Sequence, residues 1–292
     1  MELCLAVDVG GTKLAAGLVG PDGVVHAERK VPTPATSDPD ALFGALARLV
    51  EEVAEGAGPV ACGVGCGGPM DLAAGTVSPL NIPAWRDFPL RARLEALTGL
   101  GVRIDNDAKA FALGEGWTGA AKGRRDYLAM VVSTGVGGGI VLDGRLLDGA
   151  SGNAGHVGHV IVEPEGRLCP CGARGCLEAE ASGTAIAAMT GRPAREAPPE
   201  MVERTGRLVG RAVASAVSLL DLDVVVVGGS VAIGFGRRFL DAANMELRAR
   251  ARLSFAANAH IVPSALGQLG PLVGAAAVGW GAVAANASPG PS

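Results

Sequence analysis

The chain has 292 residues, of which 29 are acidic and 25 basic, so its formal net charge is −4. This balance lacks the basic excess that nucleic-acid-binding proteins use to neutralise phosphates. An apolar fraction of 49% and a charged fraction of 18% exclude an intrinsically disordered chain. The length predicts about two domains.

The first part of the chain predicts a run of short strands followed by alternating helices and strands. A Gly-Gly turn and a Pro-Asp-Gly turn separate the first three strands, and Asp38 or Asp40 can cap the first helix. The predicted elements are strands 3–9, 13–19 and 24–31, a helix to about Glu55, strand 60–66, a polar loop region 69–87, a helix near 90–98, strand 101–105 and a helix from about 108 to 117.

A second cycle of the same kind begins at Asp126. Its predicted elements are strands 127–133, 139–142 and 157–162, helices near 178–189 and 199–220, strand 223–227, a helix near 236–252, strand 259–262 and a final helix near 271–285. Two such cycles predict two related α/β domains with a cleft between them. We place the first domain at residues 1–117 with 271–292, and the second at 118–270.

The N-terminus and the cysteines indicate the compartment. The first residues carry no basic segment and lead straight into a strand pattern, so we expect no signal peptide. The apolar run 272–287 is rich in Ala and Gly and is shorter than the roughly 20 residues of a membrane span. Of the six cysteines, three lie in apolar strand-like runs as buried thiols, and the three within residues 169–176 indicate metal or redox chemistry rather than a disulfide scaffold. We predict a cytoplasmic protein without a membrane partner.

Glycine turns follow three of the apolar strands. In Asp8-Val9-Gly10-Gly11-Thr12-Lys13 the glycines let backbone N–H groups converge on an anion, Thr12 adds a hydroxyl donor, and Asp8 can hold Mg²⁺ or its water. An ordinary hairpin turn explains this segment alone equally well. Thr134-Gly135 and Gly228-Gly229 are the other two turns, and three at strand ends favour phosphate binding. The chain has no Walker motif.

One histidine and three cysteines have metal-ligand spacing. His159, Cys169, Cys171 and Cys176 lie within 18 residues, and Pro170, with the glycines, bends the loop. Thiolates and imidazole in a tetrahedral set suit Zn²⁺, and four protein ligands leave no open position, so we predict a structural zinc. The alternative is a reduced cysteine-rich loop without metal.

Five segments together resemble the ROK family of sugar kinases and repressors. They are Asp8–Lys13, Asn106-Asp107, Ser133–Gly139, Gly155–His159 and Cys169–Glu178. The resemblance covers nearly the whole chain. It implies two ribonuclease-H-like domains of the actin-like ATPase fold and a homodimer or larger homo-oligomer. ROK repressors carry an N-terminal helix-turn-helix, whereas this chain begins at the first phosphate strand, so we expect a kinase.

The resemblance also implies roles for individual residues. Asp107 is similar to the catalytic base that accepts the proton of a sugar 6-hydroxyl as that oxygen attacks ATP, although the pair Asn106-Asp107 is also typical of a helix cap. The implied sugar ligands are Asn106, His159 and Glu178, with Gly68, Asn81 and His156 in the same pocket. The implied site for ATP and Mg²⁺ comprises Asp8, Gly10, Gly11, Thr12, Lys13, Thr134, Gly135, Gly228 and Gly229.

His156 departs from the pattern of ROK glucokinases, which have Glu at this position. A carboxylate only accepts hydrogen bonds, whereas a neutral imidazole can also donate one, for example to an acetamido carbonyl. Bacterial N-acetylmannosamine kinases of the same family share the histidine, and residues 13–16, 32–35 and 225–231 resemble them too. We therefore expect N-acetylmannosamine as substrate. The alternatives are a glucokinase and a sugar-sensing regulator without catalysis.

Overall fold

The structure, a computed structural model, describes residues 1–281 of the chain, in which short strands and α-helices alternate. The strands are β1 (Cys4–Val9), β2 (Lys13–Val19), β3 (Val25–Pro32), β4 (Ala61–Cys66), β5 (Met70–Asp71), β6 (Thr76–Val77), β7 (Val102–Asn106), β8 (Tyr127–Val132), β9 (Val136–Leu142), β10 (Arg145–Leu146), β11 (Val224–Gly228) and β12 (His260–Pro263). The helices are α1 (Pro39–Ala54), α2 (Leu90–Thr98), α3 (Asp107–Trp117), α4 (Leu177–Ala181), α5 (Gly183–Thr190), α6 (Pro199–Leu220), α7 (Ser230–Arg250) and α8 (Gly270–Trp280).

Two five-stranded sheets have the same topology. Their strand orders are β3-β2-β1-β4-β7 and β10-β9-β8-β11-β12. In each sheet an antiparallel run of three strands is followed by two parallel strands. The predicted α/β class with two related halves is therefore confirmed, and the equivalence lies in the topology rather than in repeated residues.

Apolar helix faces cover the first sheet. The buried residues of α1 are Leu42, Phe43, Leu46, Leu49, Val50 and Val53, at the helical spacing that the sequence predicts. Helix α8 follows the second sheet in the chain but packs against β1 and β4 of the first. A Cβ at Gly63 would lie 2.0 Å from the carbonyl oxygen of Ala275, so only glycine permits this close helix–sheet packing.

Helix α3 lies between the two halves, because it packs against β8 and β9 of one sheet and β4 and β7 of the other. The limits 1–117 with 271–292 and 118–270 stay a prediction, and residues 282–292 lie outside the described part of the chain. The same holds for the end of the predicted helix 271–285. None of the helices in residues 1–281 combines the length and apolarity that crossing a membrane requires.

Several predicted elements differ from the structure. Strand β9 begins at Val136, inside the predicted glycine turn, rather than at residue 139. Residues 157–162 are wrong as a strand: Val157–His159 form a 3₁₀ turn that lies across β9, where a Cβ at Gly158 would be 2.1 Å from the Val136 carbonyl oxygen. The predicted helix 178–189 is two helices, because Ser182 leaves helical backbone angles and caps α5 through its hydroxyl. Helix α7 begins at Ser230 rather than near 236, with a non-helical kink at Gly236.

Candidate active site

One cavity of about 280 Å³ lies where turns from both sheets meet. It is formed at the carboxyl ends of the parallel strands β1, β4, β7, β8 and β11, the edge at which open α/β sheets bind their ligands. Of the residues that the sequence predicts for the site, those lining the cavity are Asp8, Gly10, Gly11, Thr12, Lys13, Gly68, Asn81, Asn106, Asp107, Thr134, Gly135, His156, His159, Glu178 and Gly229.

Among the residues predicted to bind ATP and Mg²⁺, Gly228 lies behind the cavity wall instead of lining it. It is the last residue of β11, and a Cβ there would lie 2.6 Å from the Phe111 ring. Its neighbour Gly229 does line the cavity, with a φ of 93° that favours glycine. A Cβ at Gly229 would also lie 2.4 Å from the Val132 carbonyl oxygen, so glycine is required where α7 begins.

The turn between β1 and β2 is held from both sides. Gly10 N–H donates to the carbonyl of Lys13 (3.0 Å), and the Thr33 hydroxyl donates to the carbonyl of Gly10 (2.6 Å). A Cβ at Gly11 would lie 2.6 Å from the Asn81 Cβ. The turn is therefore in direct contact with the segment that carries Asn81, so the predicted phosphate and sugar sides of the cavity adjoin.

The sequence leaves open whether the pair Asn106-Asp107 caps a helix or supplies a catalytic base, and in the structure the two residues differ in position. Asn106 is the N-cap of α3, because its Oδ1 accepts from the N–H groups of Ala108 (3.0 Å) and Lys109 (3.4 Å). Asp107 is the first helical residue, and its Oδ1 accepts from Ala108 N–H at 2.8 Å. The cap leaves Asp107 on the cavity wall. Burial raises the pKa of Asp107, and the bond from Ala108 opposes that rise.

Asp8 is a buried carboxyl group in the same cavity as Asp107. Burial, and next the negative charge of Asp107, raise its pKa to about 7, although Lys13 and Lys30 oppose the rise. Two carboxylates that share a buried site disfavour each other's ionised form. The two neighbouring carboxyl groups therefore carry an electrostatic cost that a bound cation would relieve.

This cost predicts a stability change that depends on pH. The native state keeps a proton on Asp8 that the unfolded chain has lost, so between about pH 4 and 7 this group lowers the free energy of unfolding as pH rises. Asp8→Asn should remove that loss of stability. Above pH 7 the free energy of unfolding of the variant should therefore exceed that of the parent protein by up to ~4 kcal/mol. Chemical denaturation of both proteins at pH 4.5 and 8 measures the difference.

The control is Asp241→Asn, which removes an exposed carboxylate paired with Arg237 on α7. Its difference from the parent should be the same at both pH values. A difference for Asp8→Asn that did not grow with pH would contradict the raised pKa of Asp8.

Glu178 ties the β8–β9 turn to α4. Its Oε2 accepts from Val136 N–H at 2.9 Å, and a Cβ at Gly135 would lie 2.7 Å from the same oxygen. Glycine at 135 therefore lets the carboxylate approach the turn. Thr134, in the same turn, accepts from the hydroxyl of Thr184 at 2.9 Å.

His156 and His159 face each other on the remaining wall, with ring centroids 5.9 Å apart. Burial, and next the charge of His159, lower the pKa of His156. At neutral pH the His156 ring is therefore uncharged and offers one donor and one acceptor.

The predicted metal ligands come together in space. One ligand atom from each of His159, Cys169, Cys171 and Cys176 lies within 4.8 Å of the others. The His159 Nδ1 to Cys169 Sγ distance is 3.7 Å, and the Cys171 to Cys176 Sγ distance is 3.6 Å. A tetrahedron with Zn–S bonds of about 2.3 Å has edges of roughly 3.6–3.8 Å, so the donor set fits zinc. Since His159 also lines the cavity, the metal set and the cavity share one residue.

Comparison with known proteins identifies the family. The model of the ROK family matches residues 4–280. The chain belongs to the ROK family. Its relatives include the N-acetylmannosamine kinase of Citrobacter koseri, which is 42% identical over 80% of this chain and 84% of that protein.

Two solved ROK structures have the same fold. The ROK glucokinase of Streptomyces griseus, solved in complex with glucose and AMPPNP, has a TM-score of 0.86 at 32% identity and covers 96% of this chain and 100% of that one. The ROK hexokinase of Thermus thermophilus has a TM-score of 0.79 at 36% identity and covers 97% and 99%.

Two charged residues that sequence reasoning missed support the site of this ROK protein. Lys109 is fully buried on α3, and a lysine in the run Ala108-Lys109-Ala110-Phe111 is the signal that points to it. Glu180 is also buried; it accepts from Arg167 N–H at 2.6 Å and pairs with Arg204, which fixes the cysteine loop to α4 and α6. The sequence around Glu180 does not predict its burial, because its partners are distant in sequence.

Proposed function

We propose that this ROK protein is an ATP-dependent sugar kinase that phosphorylates the 6-hydroxyl of N-acetylmannosamine. The observation that carries the proposal is the carboxyl group of Asp107, which has a raised pKa and lies on one wall of a cavity whose other walls bear glycine turns and a pair of histidines. The N-acetylmannosamine kinase of C. koseri, at 42% identity, supports the substrate.

Asp107 supplies the base in this mechanism. Its carboxylate accepts the proton of the 6-hydroxyl while that oxygen forms a bond to the γ-phosphorus and the bond from phosphorus to the β-phosphate oxygen breaks, releasing ADP. A raised pKa makes Asp107 a stronger base than an exposed carboxylate. Asn106, Asn81, Gly68, Glu178 and His159 line the same cavity and are suited to hold the other sugar hydroxyls.

Backbone N–H groups receive the phosphates. The Gly10–Lys13 turn, Thr134, Gly135 and the start of α7 at Gly229 converge on the cavity, and a helix N-terminus favours negative charge. When bound, Mg²⁺ neutralises charge that develops on the transferred phosphoryl group. Asp8 has the oxygen ligand that Mg²⁺ prefers, and the two facing carboxyl groups are suited to a cation.

The four metal ligands, His159, Cys169, Cys171 and Cys176, fix the part of the cavity that we assign to the sugar. With Nδ1 of His159 directed at Cys169, the imidazole is oriented from behind while it lines the cavity. Four protein ligands leave no position for a reacting water, so we propose a structural zinc.

We propose that His156 determines the preference for a sugar that carries an acetamido group. A neutral ring can donate to the acetamido carbonyl, which a carboxylate at the same place cannot do. His156→Glu should therefore shift the ratio of kcat/KM for glucose to that for N-acetylmannosamine about tenfold or more toward glucose. The ratio is measured with a coupled assay of ADP release.

His26→Glu is the matched control, because it makes the same exchange on the exposed strand β3. Its ratio should equal that of the parent protein. An unchanged ratio in His156→Glu would remove His156 from the specificity proposal.

The alternative is a glucokinase by the same chemistry, which the glucose-bound S. griseus structure supports. ADP release with N-acetylmannosamine, glucose, mannose and N-acetylglucosamine decides between them: N-acetylmannosamine should have the highest kcat/KM, and fastest turnover of glucose would overturn the substrate. Sugar binding without ADP release would instead indicate a sugar-sensing regulator.

The proposal extends to assembly and pathway. The family resemblance supports a homodimer or larger homo-oligomer in the cytoplasm, where thiols stay reduced, and a place in sialic acid breakdown. Sedimentation analysis of the purified protein tests the assembly, and a monomer at micromolar concentration would contradict it.

A further inference from the structure

Lys109 is a buried cation next to the candidate active site. Its side chain is 1% exposed, and its Nζ is 3.2 Å from Asp105, 2.7 Å from Asp148 and 3.1 Å from the Gly152 carbonyl oxygen. An ammonium group has three protons, so these three acceptors satisfy it completely. A lysine that is buried only with such partners is held in one position.

The three acceptors come from different parts of the fold. Asp105 is the last residue but one of β7, one turn before Lys109, and lies two residues before Asp107. Asp148 and Gly152 belong to the segment 148–155, which leads directly to His156. Lys109 therefore joins the helix that begins with Asp107 to the segment that places His156.

The segment 148–155 has few other polar attachments. Its remaining hydrogen bonds in the described part of the chain are internal or to adjacent residues, such as Ala154 N–H to the Asp148 carbonyl (2.9 Å). Gly149, Gly152 and Gly155 have φ values of 75°, 81° and 98°, a conformation that other residues rarely adopt. A chain segment with three such glycines has many accessible conformations, so an anchor at Asp148 and Gly152 adds to the close packing of Gly155 on the Gly138 carbonyl in holding one of them.

We propose that Lys109 and Asp148 form a latch that fixes the segment 148–155 to α3 and thereby positions His156 for the sugar. The proposal rests on the proposed function, since it assigns a consequence to sugar binding. Both are positioning residues, because neither lines the cavity. The glycine turns on the phosphate side are attached to other elements, so releasing the latch should weaken sugar binding and leave ATP binding intact.

Asp148 is the end of the latch that can be altered with least harm to folding. Its side chain is 62% exposed, and its removal leaves Lys109 paired with Asp105. Asp148→Ala should raise KM for the preferred sugar about 5- to 20-fold, change kcat less, and leave KM for ATP within about twofold. Hydrogen exchange of the amides of residues 149–156 should become faster, while the amides of α3 keep their rates.

Two further variants complete the experiment. Asp148→Asn keeps an acceptor oxygen for Nζ and should restore most of the sugar affinity. Asp241→Ala removes a similarly exposed carboxylate, which is paired with Arg237 on α7, and should behave as the parent protein. Unchanged sugar KM and unchanged exchange in Asp148→Ala would overturn the latch, as would an equal rise in both KM values.

Failure of the proposed function has a different signature. If the parent protein releases no ADP with any sugar, the kinase proposal fails. The latch can then still be tested by measuring the equilibrium affinity for N-acetylmannosamine and for glucose. A lower affinity and faster hydrogen exchange of the amides of residues 149–156 in Asp148→Ala would support it.

Discussion

Replacing Asp107 with asparagine should lower kcat for sugar phosphorylation by about 10²–10⁴-fold while KM for the sugar changes little. A positioned base contributes a factor of this size, and an amide cannot accept the proton. Folding should not suffer, because Asn106 is the cap of α3 and burial already disfavours the charge of Asp107. Coupled ADP release and thermal unfolding of the same samples measure both effects.

The pH profile of the parent protein gives a second test of Asp107. The base must be ionised, so kcat/KM should fall as pH decreases through the pKa of Asp107, which burial raises above its ordinary value. Asp223→Asn, an exposed carboxylate paired with Arg124, should keep the parent rate and profile. Full turnover in Asp107→Asn would end the assignment of the base.

Removing the proposed zinc should weaken sugar binding about 10- to 100-fold and leave ATP binding within about twofold. Outer-shell groups that orient a ligand contribute a factor of this size, and His159 is shared by the metal set and the cavity. The phosphate-side residues Gly10, Gly11 and Gly229 take no part in the metal set. Calorimetric titration of the chelated protein with sugar and with an ATP analogue compares the two sides.

Cys171→Ser tests the same site without a chelator, because Cys171 is the exposed ligand and its removal leaves the buried packing in place. Elemental analysis should find about one zinc per parent chain and a reduced content in the variant. Added Zn²⁺ should restore the sugar affinity of the chelated parent protein but not that of the variant. Equal losses of sugar and ATP affinity would contradict the sugar-side role of His159.

Much of the candidate site could be predicted because its residues lie in short segments with local signals. The Asp8–Lys13 turn follows an apolar strand, and the cysteines crowd into one loop, so their grouping needs no knowledge of the fold. The same holds for helix α1, where the apolar spacing alone predicts the buried face.

Local signals failed where a distant contact decides the backbone. Residues 157–162 have an apolar pattern typical of a strand, yet packing across β9 bends them into a turn that brings His159 to the cysteines. Gly228 and Gly229 look equivalent in sequence, but the direction in which β11 ends places the first against Phe111 and the second in the cavity.

The sequence by itself determined the α/β class, the order of most elements, the ROK family and the residue types available for phosphate, sugar and zinc. Only the tertiary structure decided which of these residues line the same cavity and which charged groups lie next to each other. The pairing of Lys109 with Asp148 and the closeness of Asp8 to Asp107 depend on residues 39 and 99 positions apart. Such contacts carry no local periodicity, so they become visible only when the sheets and α3 are packed together.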